Sequence, residues 1–273
     1  MTQSIDAPLP RSATRRAAVA LAVGIIALPG VSSASPAPST ATTRTPTGRE
    51  QRAAAAAAAR EACPRLAALA AAARAEPESA RRASDYRQAV ILCGDHERAF
   101  AFFAALAAAH PRSANVALNQ GYAHVDAIPT AGAIHRVVLA DRAIDQFTRA
   151  IELAPSWLAL FTRGNAYLYW PKVFGRLPLA LADLERAAAM ARSEGVRPYQ
   201  VRGWVALGDA HWKDGRPERA RAAWQEGVAL FGTDPRLAAR LAADGEALAA
   251  LVESDLDPAK RVDTDLSMLE PAP

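Results

Sequence analysis

From about residue 53 to residue 252, apolar side chains recur every three to four positions, the spacing that gives a helix one oily face. No stretch alternates with period two for long enough to make a strand, so the pattern predicts an all-α chain. The phrase Glu76-Pro77-Glu78-Ser79 reads as a turn, with Ser79 placed to cap the helix that follows. Upstream, residues 53–79 form an Ala-rich helix and this turn. Downstream, residues 80–252 carry the periodic helical pattern. Residues 35–52 are rich in Ser, Thr, Pro and Ala, bury too little apolar surface to order, and read as a flexible linker. Residues 253–273 are acidic and Pro-flanked (Asp255, Asp257, Asp263, Asp265, Glu270), and the expectation is a disordered tail.

Within the periodic region one frame repeats. Trp204 is followed by Leu207-Gly208 and His211, then by Ala220, Trp224 and Gly227, with Gly215-Arg216-Pro217 as the turn between. Gly164 and Tyr167 are followed by Ala180, Leu184 and Ala187; Gly121 by Ala143, Phe147, Ala150 and Pro155; and Ala99, Phe103, Leu106 and Pro111 give another second helix. A glycine in a first helix admits a close neighbour, and an alanine and an aromatic in the second supply it. These spacings resemble the tetratricopeptide repeat (TPR), in four copies over roughly residues 80–235. Arg87 occupies the usual glycine position of the first copy. The interval from glycine to alanine is 12 residues in the last copy but 22 from Gly121 to Ala143 and 16 from Gly164 to Ala180. The extra residues, 126–139 and 168–178, are either rim loops that carry function or longer helices with a kinked turn.

The resemblance implies a right-handed α-solenoid of antiparallel helical hairpins, preceded here by an Ala-rich hairpin that caps it. It also implies that residues around each glycine face a concave groove. Those are Asn115, Tyr122 and Asp126 in the second copy, Phe161, Asn165 and Tyr169 in the third, and Arg202, Asp209, Trp212 and Lys213 in the fourth. Aromatics with a few polar groups suit an extended peptide or a helix of another protein. Leu118, Leu158 and Val205 are apolar at helical spacing and are expected in the core. The function implied is a non-catalytic protein-binding scaffold without a cofactor. The alternative is a transporter-accessory or small-ligand-binding TPR protein, with the loop Trp170-Pro171-Lys172-Val173-Phe174-Gly175 and its neighbours Tyr167 and Tyr169 as the ligand contacts.

Composition supports this reading. The chain is 51% hydrophobic with only 6% aromatic residues, and alanine, the strongest helix former, dominates. Its net charge of +4 is small, half of it sits in the first 34 residues, and no basic block occurs, so nucleic acid is not an expected partner. Arg11, Arg15 and Arg16, the apolar run Ala17–Leu28, Pro29-Gly30 and the small residues Ser32-Ser33-Ala34 predict a signal peptide over residues 1–34 and a periplasmic or secreted protein. Thr14-Arg15-Arg16 resembles a twin-arginine signal. The run is shorter than the roughly 20 residues of a membrane span, so no stable membrane insertion is expected after its removal. In an oxidising compartment Cys63 and Cys93, each 15 residues from Glu78, are at the same level of a hairpin and are expected to form a disulfide worth about 3 kcal/mol. Nothing resembling CxxC or a paired-His motif accompanies them, so no metal site is expected. His124 and His135, beside and within the first insertion, are the only candidates for acid–base chemistry, and no HExxH, nucleophile elbow or phosphate loop supports them.

Overall fold

The computed structural model describes residues 48–257, 260 and 262–269. The predicted signal peptide and most of the predicted linker lie outside the described residues. Within the described residues twelve helices follow one another: α1 (Gly48–Ala62), α2 (Leu66–Ala75), α3 (Ala80–Cys93), α4 (His96–Ala109), α5 (Ala114–Ala127), α6 (Ala133–Leu153), α7 (Trp157–Leu168), α8 (Leu177–Glu194), α9 (Val201–Lys213), α10 (Pro217–Phe231), α11 (Pro235–Ala242) and α12 (Gly245–Asp255). Among the described residues there is no strand, and the architecture is an α-solenoid. Helix begins at Gly48, so residues 48–52 are not linker as expected but the first turn of α1.

The local chemistry of the chain sets these boundaries. Ser79, Ser113 and Ser156 each accept a hydrogen bond from the backbone N–H three residues on, at 3.1, 3.1 and 3.2 Å, and so start α3, α5 and α7. Gly94 ends α3 in the left-handed conformation (φ 69°). Pro64 interrupts the first helical segment as a single 3-10 turn, Cys63–Arg65, and both α1 and α2 pack on α3. Cys63 and Cys93 are joined in a disulfide, Cα atoms 5.6 Å apart, which ties the end of α1 to the end of α3.

Successive hairpins stack as α3/α4, α5/α6, α7/α8 and α9/α10, and α11/α12 close the far end. The predicted glycines are where the helices meet. A Cβ on Gly121 would stand 2.4 Å from Phe147, and one on Gly208 only 2.0 Å from Trp224, so each aromatic lies on bare backbone. The two insertions resolve differently. Residues 126–139 are mainly helix: a 3-10 turn at Ile128–Thr130 leads into α6, which runs for 21 residues. Residues 168–178 keep a loop, with a 3-10 turn at Lys172–Phe174 and Gly175 at φ 65°.

The described residues of the acidic tail are ordered, not disordered as their composition predicted. α12 continues to Asp255, and residues 262–269 return along the repeats, with Thr264 and Leu266 only 3% and 5% exposed. Acidic composition misled because these polar groups find partners: Ser84, Arg87, Gln88, Asp126 and Arg202 all bond to the returning segment.

Candidate functional site

The first helices of the hairpins, α5, α7 and α9, bound a cavity of about 910 Å³. Its floor is aromatic and aliphatic: Tyr122, Trp157, Leu158, Phe161, Tyr169 and Val205. Trp157 and Phe161 stack with centroids 4.9 Å apart, at the one-turn spacing that puts positions i and i+4 on the same helix face. The Tyr122 hydroxyl meets Thr162 Oγ1 at 2.6 Å and its ring lies edge-on to Phe147, fixing α5 against α7. Burial pushes the Tyr122 phenol above its ordinary pKa. Tyr169 is pushed up to about 12, by burial first and then by the negative charges of Asp255 and Asp209.

One end of the cavity is held by a buried ion-pair node. Arg240 from α11 donates to both carboxylate oxygens of Asp209 at 2.6 Å, and to Asp255 at 2.9 Å. A fork of this kind fixes three helices in one geometry. Next to the lining residues Tyr122 and Thr264, Arg87 from α3, 1% exposed, donates to Asp126 at 2.8 Å and Asn119 at 3.1 Å, with its guanidinium 4.9 Å above the Tyr122 ring. Its remaining nitrogen donates at 2.8 Å to the backbone carbonyl of Thr264. The mouth carries the second insertion: Trp170 is covered by the Arg176 guanidinium at 4.0 Å, Arg176 pairs with Asp141 of α6 at 2.8 Å, and Phe174 is 58% exposed.

Six of the ten predicted groove residues line this cavity: Tyr122, Phe161, Asn165, Tyr169, Arg202 and Asp209. Asp126 adjoins it through Arg87 and Thr264. Three do not belong to it. Asn115 donates at 2.7 Å to the Pro77 carbonyl and locks the α2–α3 turn to α5. Trp212 is not among its lining residues and packs against the cluster of Val201, Trp224, Leu237 and Val252. Lys213 is spent on the carbonyls of Leu168 and Trp170, where it closes the end of α7. Leu158 and Val205, expected in the core, pack against the hydrophobic clusters and also line the cavity, and Leu118 is buried as expected.

His124 is buried against the Phe100 ring, centroids 4.8 Å apart, and desolvation together with Arg142 lowers its pKa to about 4. His135 is exposed on α6. Among the described residues no three His, Cys, Asp or Glu side chains stand close enough to hold a metal ion. No helix of the described residues is long and apolar enough to cross a membrane.

Sequence reasoning missed Arg87 as a site residue, together with Trp157, Tyr199, Arg240 and the returning segment. Arg87 did carry a signal, being a bulky cation where the other copies have glycine. The rest required knowing which helices become neighbours.

Residues 201–244, from α9 into the turn before α12, match the tetratricopeptide repeat family model. The chain carries a tetratricopeptide repeat over these residues. The fold agrees beyond that one repeat: the crystal structure of TTC0263, a thermophilic TPR protein of Thermus thermophilus, superposes with a TM-score of 0.51 over 67% of this chain and 89% of that one, at 19% sequence identity. Among curated proteins none matches. The TPR glycine at position 208 and its Trp224 partner fall inside the matched repeat, and the hairpins over residues 80–194 repeat the same packing without its full sequence signature.

Proposed function

We propose that this TPR protein is an exported scaffold that grips a segment of another protein in the groove formed by α5, α7 and α9. TPR arrays serve as protein-interaction scaffolds, and the observation that carries the specific reading is the groove itself. It offers an aromatic floor (Tyr122, Phe161, Tyr169) beside polar groups (Asn165, Arg202), the combination that gives an extended chain both buried area and orientation. Export is inferred from the leader-like residues 1–34 and agrees with the Cys63–Cys93 bond, since disulfides persist in oxidising compartments. The neutral, buried His124 and the exposed His135 lend no support to a catalytic reading.

A second reading uses the same cavity. At about 910 Å³, walled at one end by Trp170 and Phe174, it falls in the range that accommodates a small apolar ligand, as in a transporter-accessory role.

Site-specific photo-crosslinking in the source cells separates these readings. A photoreactive residue replacing Phe161 in the groove is compared with one replacing Arg186, exposed on α8. A discrete protein adduct from position 161 alone is the expected result. Adducts from position 186 alone would move the interface to the outer face. A small-molecule adduct at position 161, read by mass spectrometry, would favour the ligand reading.

A further inference from the structure

The returning segment 262–269 occupies the groove in the way a bound peptide does. Its backbone is held at alternate residues: Arg87 donates to the Thr264 carbonyl at 2.8 Å, and the Leu266 N–H donates to Ser84 Oγ at 2.9 Å. Its side chains are read as well. Arg202 pairs with the Asp263 carboxylate and also reaches its carbonyl at 3.3 Å. The Thr264 hydroxyl sits between Gln88 and Asp126. Ser84 donates to Asp265 at 3.1 Å, and Leu266 enters the main hydrophobic cluster. Backbone anchoring with pockets for successive side chains is how grooves recognise extended segments. Two features separate this from ordinary core packing. The receiving groups, Ser84, Arg87 and Arg202, stand on first helices, where the partner of a TPR array is expected. The segment also borders, without filling, an open cleft of about 910 Å³.

We infer that residues 262–269 are an internal stand-in for the partner, and that the groove recognises an extended acidic segment of another protein with a carboxylate on each side of a Thr or Ser, followed by a large apolar residue. This rests on the groove reading above and specifies its ligand. Binding then requires the chain's own segment to leave, so the partner competes with an intramolecular copy of its motif. Residues 256–261 link the segment to α12, and this tether gives the internal copy a high effective concentration. A partner prevails by also filling the aromatic cavity that the internal copy leaves empty.

The test uses the full chain and a fluorescent synthetic peptide of residues 260–270 (KRVDTDLSMLE). Asp265→Lys/Leu266→Glu, which removes two anchors of the internal segment, is expected to bind the peptide about ten-fold or more tighter than the unaltered chain, measured by fluorescence anisotropy. A scrambled peptide binds neither protein, and adding Arg202→Ala to the released variant abolishes the gain. A released variant that melts cooperatively yet shows no affinity for the peptide overturns the inference, as does equal affinity in both proteins. Should the variant fail to fold, the unaltered chain decides. With excess unlabelled peptide the ¹⁵N–¹H signal of Leu266 shifts to its released position if the segment is displaceable. If the signal stays fixed at saturating peptide, the segment is permanent structure. A crosslinked protein at position 161 together with a negative peptide result keeps the scaffold and discards only this motif.

Discussion

At the scale of single residues, charge placement does most to separate this chain from a plain repeat array. Arg87 replaces the glycine found at Gly121, Gly164 and Gly208, and in doing so turns a helix-packing position into a hydrogen-bonding node. Its guanidinium is fully shared among Asn119, Asp126 and the Thr264 carbonyl, and a lysine would not reproduce that fork. His124 shows the opposite solution, a titratable ring kept neutral by burial. Its folded pKa is about 4 against an ordinary 6.5, so the unfolded chain binds the extra proton first. Stability from this site is therefore complete above about pH 6.5 and is lost progressively as pH falls toward 4. The expected loss is about 2 kcal/mol at pH 5 and about 3 kcal/mol in full. Thermal melts of the wild type and His124→Phe across pH 7.5–4.5 check this, the variant having the shallower decline; parallel curves would show that burial of His124 does not govern the acid limb.

At the scale of helices, the array depends on backbone-to-aromatic contact. Replacing Gly208 with alanine places a methyl group 2.0 Å from Trp224 Nε1, and that indole is fully buried with nowhere to retreat. Overpacking of this kind costs about 1–3 kcal/mol. Gly203→Ala meets only Trp157 at 3.1 Å and gains helix propensity, so it should be close to neutral. Urea melts of the two variants provide the comparison, and equal midpoints would remove the argument. The same contacts explain what was legible in the sequence. Periodicity and the Gly–Ala–aromatic frame recorded each hairpin, and the Ser caps recorded where helices start, because these are local effects. Trp212 and Lys213 were misplaced because the frame does not record that side chains of α11 and α12 would pack around Trp212, or that Lys213 would reach the end of α7. Leu158 and Val205 pack on the core as expected, but that they also line a cavity was not legible, since an apolar cavity wall and a core position have the same composition. The acidic tail was unreadable for a different reason: its order comes from Ser84, Arg87 and Arg202, the nearest of them 61 residues away along the chain.

At the scale of the molecule, a stacked array contacts only its neighbours, so its ends are its weak points. The far end is secured by Arg240, which joins α9, α11 and α12 through Asp209 and Asp255. The near end has little comparable packing, because the cluster around α1–α3 relies heavily on small side chains such as Ala62, Ala70, Ala73, Ala83 and Ala89. Burial stabilises in proportion to apolar area, and alanine contributes little of it. The Cys63–Cys93 bond answers that deficit at the level where α1 meets the end of α3. With 30 residues of sequence separation, restricting the unfolded chain is worth about 3–4 kcal/mol. Cys63→Ser/Cys93→Ser should therefore lower stability by about that amount, and hydrogen exchange should rise first in α1–α3. Because α3 also carries Ser84 and Arg87, the loosened end should release residues 262–269 before the α7–α10 hairpins open. Uniform acceleration along the whole chain would instead mean that the array unfolds as one unit and that the disulfide acts on it globally.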